Sequence, residues 1–244
     1  MWSSIKEIIK PDNLSEASVL LQKKGSVLFA GGSYLVSQKD PQIHTLIDIN
    51  HLINDTIEMR GENLHIHTGC TLQEIVNSND ERLNSAILAS CPSKNIRNQR
   101  TIGGEIANFR TDSDLLIFLF TAGTQLVLSQ SESPIQLSKW DGEGIILEVV
   151  IPKHEVKMER VALLDSAPAF VIVGLNNLNG NRTACVGGKT SSITHYHTMI
   201  QPSEAGVRKF MDEVEASFND DHLGSSIYKR KLVGTLIQEM EGVR

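Results

Sequence analysis

Two glycine pairs constrain this 244-residue sequence more than any other feature. Gly103-Gly104 lies at the centre of the stretch 92–114, PSKNIRNQRTIGGEIANFRTDSD, and Gly31-Gly32 directly follows a strand-like segment at 26–29. Paired glycines indicate a backbone that comes very close to another group. Backbone N–H groups exposed at such loops attract anions, phosphate above all. The two pairs together therefore favour a phosphate-containing ligand.

Composition narrows the classes of partner. A net charge of −6 and a pI of about 5.8 disfavour nucleic acid and anionic membranes. No apolar run approaches the roughly 20 residues that span a bilayer, and the segment 1–7 lacks the apolar core of a signal peptide. Three widely spaced cysteines without a CxxC pair argue against disulfides, an iron–sulfur cluster or structural zinc held by this chain alone. We expect a cytoplasmic globular protein with no metal ligands.

The order of elements predicts an α+β fold with two domains. Residues 1–55 alternate a helix, a strand, a glycine loop and a strand, and 56–152 begin with a short hairpin. A polar segment follows Pro152, so the predicted domains are 1–152, with subdomains of about 1–55 and 56–152, and 153–244. The second is predicted to hold a three-stranded sheet with helices: strands 160–164, 170–175 and 182–186, a turn at 177–181, and helices 203–216 and 225–241.

Three segments, in matching order, resemble the FAD-binding subunits of molybdenum hydroxylases. These are the medium subunits of carbon monoxide dehydrogenase and the flavin parts of xanthine dehydrogenases and aldehyde oxidases. The segment 29–33, FAGGS, followed by LIDIN at 46–50, resembles the family's A-G-G-T-D-L and L-I-D-I/L. The stretch from Ile96 to Leu115 is similar to I-R-N-x-A-T-I-G-G-N-I-x-x-A-S-P-x-x-D-L, and 224–232 to G-S-x-x-Y-R.

The resemblance implies a two-subdomain FAD domain of the PCMH/VAO type, followed by a small α+β domain. It implies a flavin-dependent oxidoreductase subunit that takes electrons from an iron–sulfur subunit of a complex with a molybdopterin-binding subunit. The electrons pass to NAD or another acceptor, so no catalytic side chain is expected; a homodimer of the isolated chain is left open. The implied cofactor-binding residues are Ala30, Gly31, Gly32, Ser33, Tyr34, Leu35, Thr101, Gly103, Gly104, Asn108, Asp114 and Leu147.

Several residues depart from the family pattern. Glu105 replaces the asparagine after the second glycine pair, Phe109-Arg110-Thr111 replaces the small A-S-P, and Tyr34 replaces an acidic residue. An anion a few ångströms from phosphate costs on the order of 1 kcal/mol or more, unless Glu105 is an ordinary solvated carboxylate. Two alternatives therefore stay open: a non-catalytic assembly protein that lost the flavin, and a stand-alone flavin reductase, although the glycine-rich motif of enolpyruvyl reductases is absent.

Other polar residues have a structural interpretation beside a functional one. Arg97 or Arg100 would add positive charge to the ligand site, or Arg97 would bind a carboxylate or loop carbonyls. His65 and His67 share one strand face, where a surface role is favoured over metal binding because no third ligand is nearby. Asp114 would cap the following helix as well as contact the cofactor.

Overall fold

The computed structural model describes residues 2–78, 80–178, 181–196 and 204–241. They form two compact units that interleave along the chain. Unit 1 comprises Met1–Asp80, Ser93–Asn108 and Gln125–Val150, and unit 2 comprises Glu81–Pro92, Phe109–Thr124 and Ile151–Arg244. Within the described residues, no helix has the length and apolar character that crossing a membrane requires.

Unit 1 begins with a parallel three-stranded sheet in the order β1-β3-β2. Its elements are β1 (Glu7–Ile9), α1 (Leu14–Leu21), β2 (Ser26–Phe29), α2 (Leu35–Gln38) and β3 (Thr45–Asp48). Ala17 and Leu20 of α1 pack with Ile47 and Ile49 in one buried cluster. The short strand β1 was not predicted, because three residues at a sheet edge are too few to show a period.

A second sheet of unit 1 has the strand order β4-β5-β8-β6-β7. Its strands are β4 (Ile57–Arg60), β5 (Asn63–His67), β6 (Gln125–Leu128), β7 (Ile135–Gln136) and β8 (Ile146–Pro152). The helices of this part are α3 (Leu72–Asn77), α5 (Lys94–Arg97) and α6 (Ile102–Asn108). The predicted hairpin at 57–67 is confirmed, with Glu58 paired to His65 across it.

Unit 2 packs helices against an antiparallel sheet with the order β12-β11-β10-β9. Its elements are α4 (Glu81–Ser90), α7 (Asp114–Thr121), β9 (Val156–Val161), β10 (Val171–Leu178), β11 (Asn181–Gly188), β12 (Thr194–Tyr196), α8 (Glu204–Ser217) and α9 (Ser226–Glu241). Phe210 and Val214 of α8 and Val233 and Leu236 of α9 share one core with the sheet.

The C-terminal sheet differs from its prediction in two ways. It has four strands, whereas three were predicted. The additional strand, β12, was missed because it is short and polar and shows no apolar alternation. The predicted strand 160–164 is wrong in position: β9 is Val156–Val161, and Leu163 and Leu164 lie beyond it, each 70% exposed. At the edge, β9 alternates half-buried residues with exposed lysine and glutamate, which the sequence presents as a polar boundary. Residues 179, 180 and 203, from the predicted turn and helix, lie outside the described residues.

Candidate functional site

Both glycine loops line a single cavity of about 310 Å³ within unit 1. The cavity is within the size range of small-molecule sites. It brings together most of the residues proposed for cofactor binding, and these are Ala30, Gly31, Gly32, Ser33, Tyr34, Leu35, Thr101, Gly103, Gly104 and Asn108. A ligand that contacts both glycine loops requires the two loops to line one cavity, and the structure has this arrangement.

The first loop approaches the chain before the second loop so closely that position 31 has no room for a side chain. A Cβ atom on Gly31 would overlap the carbonyl oxygen of Gln99 and lie 2.8 Å from its carbonyl carbon. Gly32 has a φ of 65°, a conformation that glycine adopts without strain. Among the described residues, the N–H groups of positions 31–34 donate no hydrogen bond to another protein group. The loop therefore offers free donors at the cavity wall.

The second loop uses its N–H groups within the protein, which corrects the expectation that both loops offer free donors. Ile102 donates to the carbonyl oxygen of Cys70 at 3.0 Å, and Gly103 donates to that of Thr68 at 3.3 Å. The Thr101 hydroxyl accepts from the N–H of Gly104 at 3.1 Å. A Cβ on Gly103 would lie 2.7 Å from the Thr68 Cβ, so this glycine serves close packing. The second loop shapes the cavity, and the first supplies the donors.

Arg100 is the cationic residue of the cavity wall. Its Nη1 donates to Glu105 Oε2 at 3.2 Å, and its Nε donates to Ser33 Oγ at 3.3 Å. Glu105 is 1% exposed, so the prediction of a solvated carboxylate is wrong. The carboxylate is buried because Arg100, five residues earlier, faces it from the turn before α6. Arg97 is also buried, but its Nε donates to Gln73 Oε1 at 3.0 Å, and neither residue lines the cavity.

The rest of the cavity wall is largely apolar, and sequence reasoning did not identify it. Leu21, Val27 and Leu28 from the first sheet region and Ile145 and Ile146 near β8 contribute to it. Trp140 also lines the cavity, with its indole N–H donating to the carbonyl oxygen of Glu143 at 2.7 Å. A tryptophan followed by Gly142 and Gly144 in a polar loop was a signal that could have identified this wall, since aromatic rings often contact ligands.

Asp114 lies in unit 2, where its carboxylate pairs with Arg160 Nε at 2.9 Å. It is 2% exposed, and burial raises its pKa, opposed by the Arg160 charge. The prediction that Asp114 caps α7 is wrong, because Asp114 is the first residue of the helix. The cap is Ser113, whose Oγ accepts from the Leu116 N–H at 3.2 Å. Its proposed contact with the cofactor stays a prediction.

The candidate residue Leu147 and the non-candidate Phe109 both have structural contacts. Leu147 packs against the apolar cluster of the first sheet, and its carbonyl oxygen accepts from the Thr68 N–H at 3.1 Å. Phe109, which stands where the family has a small residue, has a φ of 48°, and its ring meets Phe120 edge-on at 5.6 Å. For a bulky residue this left-handed backbone is strained.

The two histidines of β5 form a polar cluster with Glu148. His65 Nδ1 lies 3.0 Å and His67 Nε2 3.9 Å from Glu148 Oε1, and Arg60 Nη1 contacts the same oxygen at 3.0 Å. Within the described part of the chain, no group of three potential ligands is placed to hold a metal ion. All three cysteines are buried and outside disulfides, and burial raises the pKa of Cys70 to about 12, which leaves its thiol protonated.

The residues that line the cavity suit a ligand that carries a diphosphate group. Free N–H groups at positions 31–34 and the guanidinium of Arg100 provide donors for phosphate oxygens. Glycines at 31 and 32 let the loop pack against the Gln99 carbonyl group and the Phe29 ring, which a Cβ at either position would overlap, and this packing holds the loop at the cavity wall. The apolar wall beside these loops suits an aromatic ring system.

Comparisons with known proteins agree with this site. A family model described as the FAD binding domain in molybdopterin dehydrogenase matches residues 3–153. The uncharacterized protein YgfM of Escherichia coli K12 is 26% identical over 253 residues, which cover 97% of this chain and 95% of YgfM.

Solved structures of two oxidoreductases share the fold. A chain of carbon monoxide dehydrogenase from Hydrogenophaga pseudoflava superimposes with a TM-score of 0.72 at 17% identity, covering 96% of this chain and 95% of that one. For a chain of quinoline 2-oxidoreductase from Pseudomonas putida 86 the TM-score is 0.71 at 15% identity, covering 96% and 94%. These similarities confirm the predicted fold class, and the family match confirms FAD as the predicted cofactor. Because that match spans well over half of the sequence, the chain belongs to the family of FAD-binding domains of molybdopterin dehydrogenases and is homologous to the FAD subunits of molybdenum hydroxylases.

Proposed function

We propose that this chain is the FAD-binding, electron-transferring subunit of a molybdopterin-dependent hydroxylase or dehydrogenase. The observation that carries the proposal is the cavity of unit 1, where a loop with free N–H groups meets Arg100. The proposal includes the domain division at residue 152. Three buried cysteines that form no disulfide support a reducing compartment such as the cytoplasm.

In this proposal, the protein binds and orients the cofactor. The N–H groups of Gly31, Gly32, Ser33 and Tyr34 would donate to the diphosphate, with Arg100 adding a charge-assisted hydrogen bond. The apolar wall would exclude water from the bound nucleotide. Bound FAD supplies the electron-transfer chemistry. No side chain of this chain is assigned a proton-transfer or nucleophilic step.

The proposed partners are an iron–sulfur subunit and a molybdopterin-binding subunit. The fold shared with chains of carbon monoxide dehydrogenase and quinoline 2-oxidoreductase supports this assembly. NAD is a proposed electron acceptor, as in xanthine dehydrogenase-like complexes, and a homodimer is proposed for the isolated chain. Copurification of neighbouring-gene products with a tagged chain would test the assembly.

The purified chain is expected to carry FAD or to take it up. We expect flavin absorbance bands after reconstitution and gel filtration, at close to one FAD per chain, because the donors and the apolar wall converge on one cavity. Flavin released by denaturation should be FAD and not FMN, since the diphosphate is what the first loop would bind. A folded chain that stays colourless after incubation with excess FAD would refute the proposed function.

Trp140 provides an optical probe of the same cavity. The sequence has two tryptophans, so Trp2→Phe leaves Trp140 as the only indole. We expect FAD to quench most of the fluorescence of this variant, because Trp140 lines the cavity. The matched control is Trp140→Phe, in which the remaining Trp2 should respond weakly. Equal quenching in both variants would mean that the cavity does not hold the ligand.

The second candidate function is a non-catalytic assembly protein that has lost the flavin. The burial of Glu105 at the cavity wall favours it, because an internal anion opposes a diphosphate. Under this candidate the folded chain binds neither FAD nor ADP, and Glu105→Gln leaves that unchanged. The reconstitution experiment therefore separates the two candidates.

A further inference from the structure

Arg100 is fixed by its backbone and shared by two side chains at the cavity. Its N–H donates to the carbonyl oxygen of Ile96 at 2.8 Å, and its own carbonyl oxygen accepts from the N–H of Leu72 at 2.8 Å. The side chain, 13% exposed, joins Ser33 of the first loop to Glu105 of α6. The guanidinium is thus held next to the free N–H groups of the first loop, and Glu105 holds it there.

The position of Glu105 has an electrostatic consequence. A largely covered guanidinium is stabilised by a nearby counter-charge, and Glu105 Oε2 at 3.2 Å supplies one in the chain without a ligand. A diphosphate at the first loop would bring a second anion to the same guanidinium. Arg100, Glu105 and the first loop all line the cavity, so the two anions would compete over a short range.

We propose that Glu105 is an internal counter-anion, which occupies Arg100 in the ligand-free chain and gives it up to the diphosphate of a bound dinucleotide. The proposal rests on the function proposed above and adds its regulation. Glu105 stabilises the empty site and weakens the occupied one, so the cofactor binds reversibly. The Ser33 hydroxyl keeps the guanidinium directed at the first loop during the exchange.

The test compares Glu105→Gln with Glu62→Gln. Both substitutions remove one negative charge, and Glu62 is exposed in the turn between β4 and β5, outside the cavity-lining set. Dissociation constants for FAD and for ADP are measured by titration calorimetry, together with the Tm of each ligand-free chain. We expect Glu105→Gln to bind both ligands about tenfold more tightly than the unmodified chain and to have a lower Tm without ligand. Glu62→Gln should change neither quantity.

Arg100→Gln and the double variant Arg100→Gln with Glu105→Gln complete a cycle. Arg100→Gln should weaken FAD and ADP binding at least tenfold and lower the Tm, because Glu105 then loses this counter-charge. The double variant should recover the Tm that Arg100→Gln loses. Glu105→Gln should also improve the affinity for FAD and ADP much less in the Arg100→Gln background than in the chain that retains Arg100. If the gain from Glu105→Gln is the same with and without Arg100, the exchange is overturned.

The result separates the proposal from the function on which it rests. A chain that binds FAD, with a Glu105→Gln variant less than threefold tighter, retains the proposed function and overturns the exchange. If Glu105 has a purely structural role, Glu105→Gln changes the Tm and leaves the dissociation constants for FAD and ADP unchanged. That result would also overturn the exchange. If neither the unmodified chain nor any variant binds FAD, both proposals fall. Glu105→Asn is measured in parallel, so that poor folding of one variant does not decide the outcome.

Discussion

Gly31→Ala is expected to cost about 3 kcal/mol of folding free energy and to abolish FAD uptake. The added Cβ would overlap the Gln99 carbonyl oxygen and lie 3.4 Å from the Arg100 Cα, so backbone must move to admit it. Backbone atoms cannot move aside as easily as the end of a flexible side chain. The required backbone movement would displace the first loop from Arg100. Urea denaturation gives the free energy of unfolding, and flavin absorbance after reconstitution gives the uptake.

The control for this prediction is Gly61→Ala in the turn between β4 and β5. Gly61 has a φ of 62°, and a Cβ added to it would meet no atom within 4 Å. Only backbone strain is expected there, about 1 kcal/mol, and FAD uptake should be retained. If Gly31→Ala is as mild as Gly61→Ala, the close approach of the two loops is not as the structure shows it.

Arg160→Met is expected to destabilise the chain by about 3–5 kcal/mol, because it leaves the buried Asp114 carboxylate without its counter-charge. Arg160 Nε lies 2.9 Å from Asp114 Oδ1, and its Nη1 and Nη2 donate to the carbonyl oxygens of Asp165 and Ala167 at 2.9 and 2.7 Å. Methionine keeps much of the packing of the side-chain stem, so the loss reports mainly the charge and its hydrogen bonds.

The loss should also depend on pH. Burial raises the pKa of Asp114 above its ordinary value, and removing Arg160 raises it further. A carboxyl group with a raised pKa favours folding most below its unfolded pKa, and this contribution is lost as pH rises through the folded pKa. The Arg160→Met variant should therefore lose more stability relative to the unmodified chain at pH 8 than at pH 5. An equal loss at both values would contradict this account.

Arg230→Met is the matched control, since it makes the same substitution in a more exposed ion pair of unit 2. Arg230 Nη1 contacts Asp212 Oδ1 at 3.0 Å and Glu215 Oε2 at 2.6 Å, and these acidic side chains are 61% and 30% exposed, against 3% for Asp114. Solvent screens such a pair, so the expected cost is about 1 kcal/mol or less. Denaturation of both variants across the same pH range separates a buried charge from an exposed one.

Local signals were enough for many elements. Asparagine is a residue type that caps helices, and Asn13 Oδ1 accepts from the Glu16 N–H at 2.9 Å at the start of α1. The alternation around Gly61 correctly predicted the β4–β5 hairpin. The edge strands β1 and β9 were missed or misplaced, because an edge strand buries too little to show an apolar pattern. Local prediction thus succeeded where a cap or a turn has its own chemistry.

In the candidate site, too, the sequence predicted some features and missed others. The glycine pairs at 31 and 103 pointed to close backbone approach, and the structure places both at one cavity. Glu105 was misjudged, because its burial depends on Arg100 facing it across the turn before α6. Trp140, Ile145 and Ile146 were not identified, because they reach the cavity from a segment far along the chain from both glycine pairs.

The sequence by itself determined where the backbone comes close to another group, because glycine pairs and helix caps act through neighbouring residues. Only the tertiary structure decided which N–H groups remain free and which arginine faces the cavity. It also decided that a carboxylate expected in water is buried against that arginine. Such properties depend on residues that are distant in sequence, and burial and pairing are set only when the chain has folded.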